Sequence, residues 1–472
     1  MTLPPYRPLS KEIPYQDPLH LFSFFAETPW SLFLDSARII KSSAQYSFIA
    51  TEPFLTLESK GKTLFLNNKK QQGDPFSCLK ILLKKFSLDS HKDLPPFQGG
   101  AAGYFSYELC HQIETLPPAK ESKEQFSDMA LGFYDLVIAF DHSLEQAWIF
   151  SSGYPKLDIS SRKLHAKKRC AEILKKISTS KNSPSLSKSL KKTSSTKTIK
   201  SNFSRKTYEQ ATQRVIDYIY SGDVFEVNLS QKFSSLLPHE ISAFQLYCHL
   251  RQLNAAPFAA YLCYSDTIIA SSSPERFLRV RNGHVETRPI KGTRPRGNSK
   301  EEDEFLAKQL LTSEKDRAEN IMIVDLMRND LSRICHHDSI QVPQLCALES
   351  HPTVHQLVSI VQGQLQNKYD LVDLLKATFP GGSISGAPKV RAMEIITELE
   401  PSPRGPYCGS IGYLGFDQSM DTSITIRTYV IKDRSVTFQA GGAIVADSTP
   451  SQEYEETLDK AWALRETLLQ LA

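Results

Sequence analysis

Short apolar runs closed by glycine and polar turn residues fill the chain, and they are not spaced by helices in a regular strand–helix–strand rhythm. Within the first 160 residues, "GKTLFLN" (61–67), "FYDLVIAFD" (133–141) and "QAWIFSSG" (146–153) predict strands. Further strands are expected over 259–270, 284–290, 408–416, 422–432 and 435–446. Helices are expected over 162–177, 205–220, 301–334, 388–399 and 453–470. Ser204 is placed to cap the helix at 205–220, on which Ala211, Val215 and Tyr218 share a face. Strands in pairs with inserted helices argue for an α+β fold rather than a doubly wound parallel sheet. Neither a dinucleotide fingerprint nor a G-x-x-x-x-G-K-[ST] phosphate loop is present.

A length of 472 residues allows more than one domain. Residues 181–200, "KNSPSLSKSLKKTSSTKTIK", carry six lysines and no acid, so the formal charge of +4 is local and the remainder is slightly acidic. The stretch reads as a solvated tether, 178–203, between an N-terminal region, 1–177, and a second region, 204–472. It lacks the aromatic platforms and packed basic face of a nucleic-acid site, so no nucleic-acid partner is expected. No apolar run reaches membrane-spanning length and no secretory leader is evident, which predicts no membrane association and a cytoplasmic protein. Eight scattered cysteines without a CxxC pair favour reduced thiols over disulfides or a zinc site.

Two predicted helices carry acidic pairs. In 314–334, Asp316, Glu319 and Ile323 fall at i, i+3 and i+7; in 451–464, Glu453, Glu456 and Lys460 repeat the spacing. Each is compatible with a solvated helix face. Carboxylates projecting from two partly buried helices would instead repel unless a cation lay between them, and oxygen ligands without clustered His or Cys suit Mg²⁺ better than Zn²⁺. The preceding "QAGGAIVADSTP", with Gly441 and Gly442, is a strand end able to deliver the second helix into a cleft. "KATFPGGSISGAPKVRAMEII" (376–396) joins a Gly/Ser loop to a helix start, and the amides from Gly382 to Ala387 are candidates for cradling an anion. Lys291, in "TRPIKGTRPRG" (287–297), is either a surface charge beside a turn or a nucleophile.

"GDVFEVNLSQ", "SSPERFL", "PIKGTRPRG", "KDRAENIMIVDLMRNDLSRI", "FPGGSISGAPK" and "AGGAIVADSTPSQEYEET" follow one another in the order seen in chorismate-utilising enzymes. Over roughly 205–468 the chain resembles component I of the aminodeoxychorismate synthases and, slightly less well, of the anthranilate synthases. The resemblance implies two packed antiparallel β-sheets surrounded by helices, with a smaller N-terminal subdomain and the active site in the C-terminal part. It implies Mg²⁺ held chiefly by Glu319 and Glu456, with Asp316 and Glu453 in support. It implies that Tyr407 and Arg427 bind a substrate carboxylate and that Lys460 adds positive charge. Gly441 and Gly442 would lie against substrate, and His355 resembles the family's pocket histidine. Glu275 matches the general acid–base carboxylate.

Aminodeoxychorismate synthases resemble "PIKGT" at Lys291, where anthranilate synthases carry alanine. The resemblance therefore implies Lys291 as a nucleophile, with chorismate and ammonia as substrates and a glutamine amidotransferase subunit as partner. Desolvation or a cationic neighbour is expected to lower the Lys291 pKa. One departure stands out: Glu226 occupies a position where glutamine is expected, and where isochorismate and salicylate synthases place a water-activating lysine. Glu226 is a candidate accessory group. The alternatives are an anthranilate synthase or a non-catalytic regulatory homologue, and the intact Glu275, Lys291, Glu319, Arg427 and Glu456 weigh against the latter.

Overall fold

The computed structural model describes residues 6–40, 44–121, 124–179, 198–350 and 354–471. Most of the expected tether, 180–197, lies outside the described residues. Two large sheets, antiparallel throughout, pack together with helices around them, as expected of the α+β class. The first runs in space through Leu9–Ile13, Gln146–Ser151, Leu136–Asp141, Tyr46–Ala50, Ser31–Asp35, Phe258–Cys263, Thr267–Ser273, Thr428–Lys432, Ser435–Ile444, Glu226–Leu236 and Lys200–Ser201. The second carries Ile290–Pro295, Val354–Gln364, His284–Thr287, Arg276–Arg281, Met420–Ile424, Ser410–Gly415, Gly100–Phe105 and Met129–Tyr134, then a meander ending at Lys69–Gln72. Each sheet joins strands from before and after the tether.

Between the sheets lies a layer that includes Phe48, Val137, Ala260 and Ile269 from one and Tyr104, Ala130, Ile411 and Tyr413 from the other. Helices cover the outer faces, burying Leu464 and Leu468 of Pro450–Gln470 on the first sheet and Ile323 and Met327 of Glu314–Ser332 against the second sheet's core. Burying an aliphatic side chain of this size stabilises the fold by about 2 kcal/mol.

Several expected elements divide. The run at 133–141 is two strands in different sheets, Met129–Tyr134 and Leu136–Asp141, with buried Asp135 between them. The run at 422–432 likewise splits into Met420–Ile424 and Thr428–Lys432, which cross from the second sheet to the first. The single helix expected over 301–334 is two, Lys300–Leu311 and Glu314–Ser332. The break is set by Ser313, whose side chain accepts from the Asp316 amide to cap the second. These crossings position the site. The chain passes from Thr267–Ser273 in the first sheet to Arg276–Arg281 in the second, with Glu275 at the corner. Beside it runs the return crossing with Arg427. The two are tied by the Ser273 hydroxyl donating to the Ile424 carbonyl at 2.6 Å, the Ile424 amide to the Glu275 carbonyl at 3.0 Å and the Ser272 amide to the Arg427 carbonyl at 3.0 Å.

Candidate active site

The seam between the sheets brings together most of the residues singled out in the sequence. Lys291 stands on strand Ile290–Pro295 beside a bulge, where Gly292 takes φ +79°. A Cβ at Gly292 would sit 2.9 Å from the Asp316 side chain, so glycine both permits the bulge and lets the helix Glu314–Ser332 close on the strand. Lys291 is buried, and its ammonium donates to Glu226 Oε1 at 2.7 Å. Glu226, fully buried at the start of Glu226–Leu236, also accepts from Asn228 Nδ2 at 3.1 Å on the same oxygen. Its Oε2 has no hydrogen-bond partner among the described residues.

The expected depression of the Lys291 pKa is not found. Burial pulls it down, but the charges of Glu226, Glu319 and Glu275 outweigh burial and raise it above the ordinary lysine value. The converse holds for Glu275: burial pushes its carboxyl up to about 7, against the Ser383 hydrogen bond and the Lys291 charge. Ser383 Oγ donates to Glu275 Oε1 at 2.6 Å. A carboxyl titrating there is suited to donating a proton near neutrality.

Glu319 faces Lys291 from the helix Glu314–Ser332, and burial raises it to about 7 against the nearby lysines. From the helix Pro450–Gln470, Glu456 pairs with Lys460 at 2.5 Å. Burial raises the Glu456 pKa, but Lys460, Lys315 and Lys291 outweigh it and leave it low. Buried Glu453 accepts from Ser448 Oγ at 2.6 Å. Lys315 bridges the helices, 4.0 Å from Glu319 and 3.8 Å from Glu453.

Gly442 lies beneath the acidic pair, where an added Cβ would be 3.1 Å from both Glu453 Oε2 and Glu456 Oε1. That Glu453 oxygen is buried without a hydrogen-bond partner among the described residues. A hollow lined by carboxylate oxygens, one of them unsatisfied, fits a small hard cation. Asp316 is engaged elsewhere, accepting from Arg294 at 3.0 Å. Gly441 packs against the Leu229 and Ser230 backbone, where a Cβ would be 2.5 Å from a carbonyl oxygen.

Arg427 sits at the sheet crossing with φ +53°, an uncommon conformation for a residue with a side chain. Its guanidinium makes no side-chain hydrogen bond or ion pair among the described residues, and burial lowers its pKa, opposed by Tyr407 and Glu456. A half-buried, unpaired guanidinium beside a buried phenol is ready for an anionic ligand. His355 is buried and bonds Asp303 at 2.9 Å and Ser350 at 2.8 Å.

The glycine loop spends part of its backbone on itself and on the first sheet. The Ile384 and Ser385 amides donate within the loop to the Gly381 and Gly382 carbonyls, and Gly386–Ala387 pairs with Glu226–Leu236. Leu326 and Met327 press against Gly382, leaving no room for a side chain there, and the loop presents the Ser383 hydroxyl to Glu275. Ser383, Asn228 and Lys315 were not singled out in the sequence. Ser383 and Asn228 lie inside quoted motifs, and Lys315 opens another and is legible as the i−4 partner of Glu319.

The fold and the seam of buried carboxylates, lysine and arginine define an acid–base site suited to an anionic ligand, and comparison with known proteins identifies the family. The chain belongs to the chorismate binding enzyme family, whose profile matches residues 36–466. It is 40% identical over 444 residues to aminodeoxychorismate synthase component 1 of Escherichia coli, covering 93% of each chain. It is 38% identical over 467 residues to anthranilate synthase component 1 of Acetivibrio thermocellus, covering 97% of this chain and 94% of that one. Anthranilate synthase component I from Streptococcus pneumoniae superimposes with a TM-score of 0.79 at 32% identity, over 91% of this chain and 94% of the other. The chain is thus a chorismate-utilising enzyme of the anthranilate and aminodeoxychorismate synthase family. Among the described residues no helix is long and apolar enough to cross a membrane.

Proposed function

We propose that this enzyme aminates chorismate at ring carbon 4, giving 4-amino-4-deoxychorismate with the enolpyruvyl group retained. The observation that carries this reading is Lys291: a buried primary amine on the seam, facing Glu275, where the anthranilate synthase pattern has alanine. Lys291 attacks ring carbon 2 while Glu275 donates its proton to the departing 4-hydroxyl, leaving a covalent adduct; ammonia then attacks carbon 4 and expels the lysine. Arg427 and Tyr407 bind one carboxylate of the substrate. Glu319, Glu453 and Glu456 would hold Mg²⁺, which when bound neutralises these acids and attracts the other carboxylate. Asp316, paired with Arg294, adds only its negative charge beside Glu319. Ammonia comes from glutamine through a separate amidotransferase subunit, so glutamine should sustain turnover only when that subunit is added, whereas concentrated ammonium replaces it.

The test is a product assay with purified protein, chorismate, Mg²⁺ and excess ammonium, read by mass spectrometry. The expected product exchanges hydroxyl for amino and keeps the enolpyruvyl group. Anthranilate relatives of similar identity make the other outcome concrete: rapid release of anthranilate and pyruvate would overturn the reading.

A further inference from the structure

The amination proposed above leaves Glu226 without a task, although its side chain is fully buried and touches the reacting amine. A purely structural acid is finished differently in this molecule. In the buried pair of Glu400 with Arg404, Glu400 Oε1 accepts from the Ser230 amide, the Ser230 hydroxyl and Arg404 Nη2 at 2.8 to 2.9 Å, and Oε2 accepts from Arg404 Nε at 3.0 Å. Both oxygens are saturated. Glu226 holds Lys291 and Asn228 on one oxygen and leaves the other bare, at the desolvation cost of an unpaired buried oxygen.

Three carboxylates surround Lys291: Glu226 from strand Glu226–Leu236, Glu275 from the sheet crossing and Glu319 from the helix Glu314–Ser332, with Glu456 of Pro450–Gln470 beyond. Glu275 must carry a proton for the leaving hydroxyl, and Glu319 is assigned to the Mg²⁺ set in the function proposed above. Only Glu226 is within hydrogen-bond distance of the Lys291 nitrogen among the described residues.

We propose that Glu226 takes a proton from Lys291 as the amine attacks substrate and returns it when the amine departs. This rests on Lys291 being the nucleophile. In the forward step an N–H bond of the ammonium breaks and an O–H bond forms on Glu226. The freed nitrogen pair bonds ring carbon 2, the two conjugated double bonds each shift one position around the ring, and the C4–O bond breaks. The hydroxyl leaves as water with the Glu275 proton. When ammonia adds at carbon 4 the double bonds shift back, the carbon 2–nitrogen bond breaks, the lysine recovers its proton from Glu226, and the ammonium formed on carbon 4 returns a proton to Glu275. The carboxylate thereby reconciles a lysine held charged at rest with one that is nucleophilic in the complex.

The experiment follows adduct formation on Lys291 by rapid quench and peptide mass spectrometry, with full-length protein, chorismate and Mg²⁺, and ammonia withheld. Glu226→Gln is expected to slow adduct formation about 100-fold near neutral pH. Chorismate affinity should stay within a few-fold of wild type, and the variant's rate should climb with pH as solvent takes over the proton. Glu226→Asp, which keeps the carboxylate, should recover part of the rate and the flatter wild-type profile. Adduct formation in Glu226→Gln as fast as in wild type, or faster, overturns the proposal, since the carboxylate would then only hold the charge. If Glu226→Gln does not fold, Glu226→Asp decides alone: a rate that climbs with pH counts against Glu226. Absence of an adduct in the wild type would instead sink the nucleophile reading, a separate outcome.

Discussion

Two lysines have largely buried side chains, 9% exposed at Lys291 and 11% at Lys389, and their surroundings differ in kind. Lys389 is a clamp. Its ammonium donates to Asp330 and to the Thr378 carbonyl at 3.0 Å, and Asp330 also accepts from Arg333 at 3.0 Å. These contacts tie the helix Glu314–Ser332 to the helix that follows the loop, and every partner belongs to the scaffold. Among the described residues the Lys291 ammonium has one hydrogen-bond acceptor, and that acceptor keeps an oxygen without a partner. Burial lowers the Lys389 pKa despite Asp330, whereas carboxylates overcome burial at Lys291 and raise it. Desolvation therefore does not single out the reactive amine. What separates the two is the acceptor: Asp330 is also held by Arg333, whereas Glu226 keeps an oxygen without a hydrogen-bond partner among the described residues.

The comparison breaks most visibly in turnover. Lys291→Ala should cut amination at carbon 4 by at least on the order of a thousand-fold, measured by product mass spectrometry well below the melting temperature. The alanine of the sister enzymes suggests a harmless replacement, but here it strands Glu226 without its cation, so a lower melting temperature is expected too. Lys291→Arg keeps the charge and should not restore turnover. Lys389→Met should show the opposite pattern. It leaves Asp330 to Arg333 alone, destabilising the protein by about 2 kcal/mol in denaturant unfolding, while turnover per folded molecule changes little. Equal loss of turnover in both variants would erase the distinction.

How far the sequence could anticipate this follows from the same residues. The ordered motifs carried the fold class, and the spacing of Asp316, Glu319, Glu453 and Glu456 carried the acidic helices, because local patterns encode both. The sheet crossings were illegible. In "FYDLVIAFD" apolar residues run continuously past Asp135, and periodicity cannot tell one long strand from two that turn into different sheets. The break at Ser313 did leave a mark, a serine three residues before Asp316, of the kind that caps a helix. The sign of the Lys291 shift was out of reach, since Glu226 lies 65 residues away and meets it only across the seam.

The cleft's acids should also betray themselves in stability. Glu275 titrates at about 7 in the folded protein, above its ordinary value, so its ionisation opposes folding. Stability is full below the unfolded pKa and is lost as pH rises through the folded one, by about 3 kcal/mol in all. Glu275→Gln removes this penalty. The variant should gain stability over wild type at pH 8 relative to the difference at pH 5, although it is inactive. A pH-independent difference between the two proteins would place Glu275 outside the desolvated cleft. For the cation hollow, Glu456→Gln and Glu319→Gln should each weaken Mg²⁺ binding about tenfold by calorimetry, because each removes a charged ligand at nearly constant volume. Unchanged binding in both would return the two helices to ordinary charged faces.

The smallest effect probes the finest feature of the cleft. The Ser383 hydroxyl donates to Glu275 Oε1 at 2.6 Å, which favours the ionised carboxylate and partly offsets burial. Ser383→Ala removes that donor without adding volume, and the loop keeps its shape because the Ser385 hydroxyl still bonds the Gly381 carbonyl at 2.9 Å. Glu275 should then hold its proton to higher pH, by about one unit for a bond of about 1 kcal/mol. Since the proposed reaction needs Glu275 protonated, the alkaline fall of kcat/KM, expected near pH 7 in the wild type, should move upward in the variant, with at most a few-fold change at pH 6. A downward move would mean that the hydroxyl stabilises the protonated carboxyl instead. No move at all would assign the alkaline limb to another group, and Glu275 would lose its claim to be the acid.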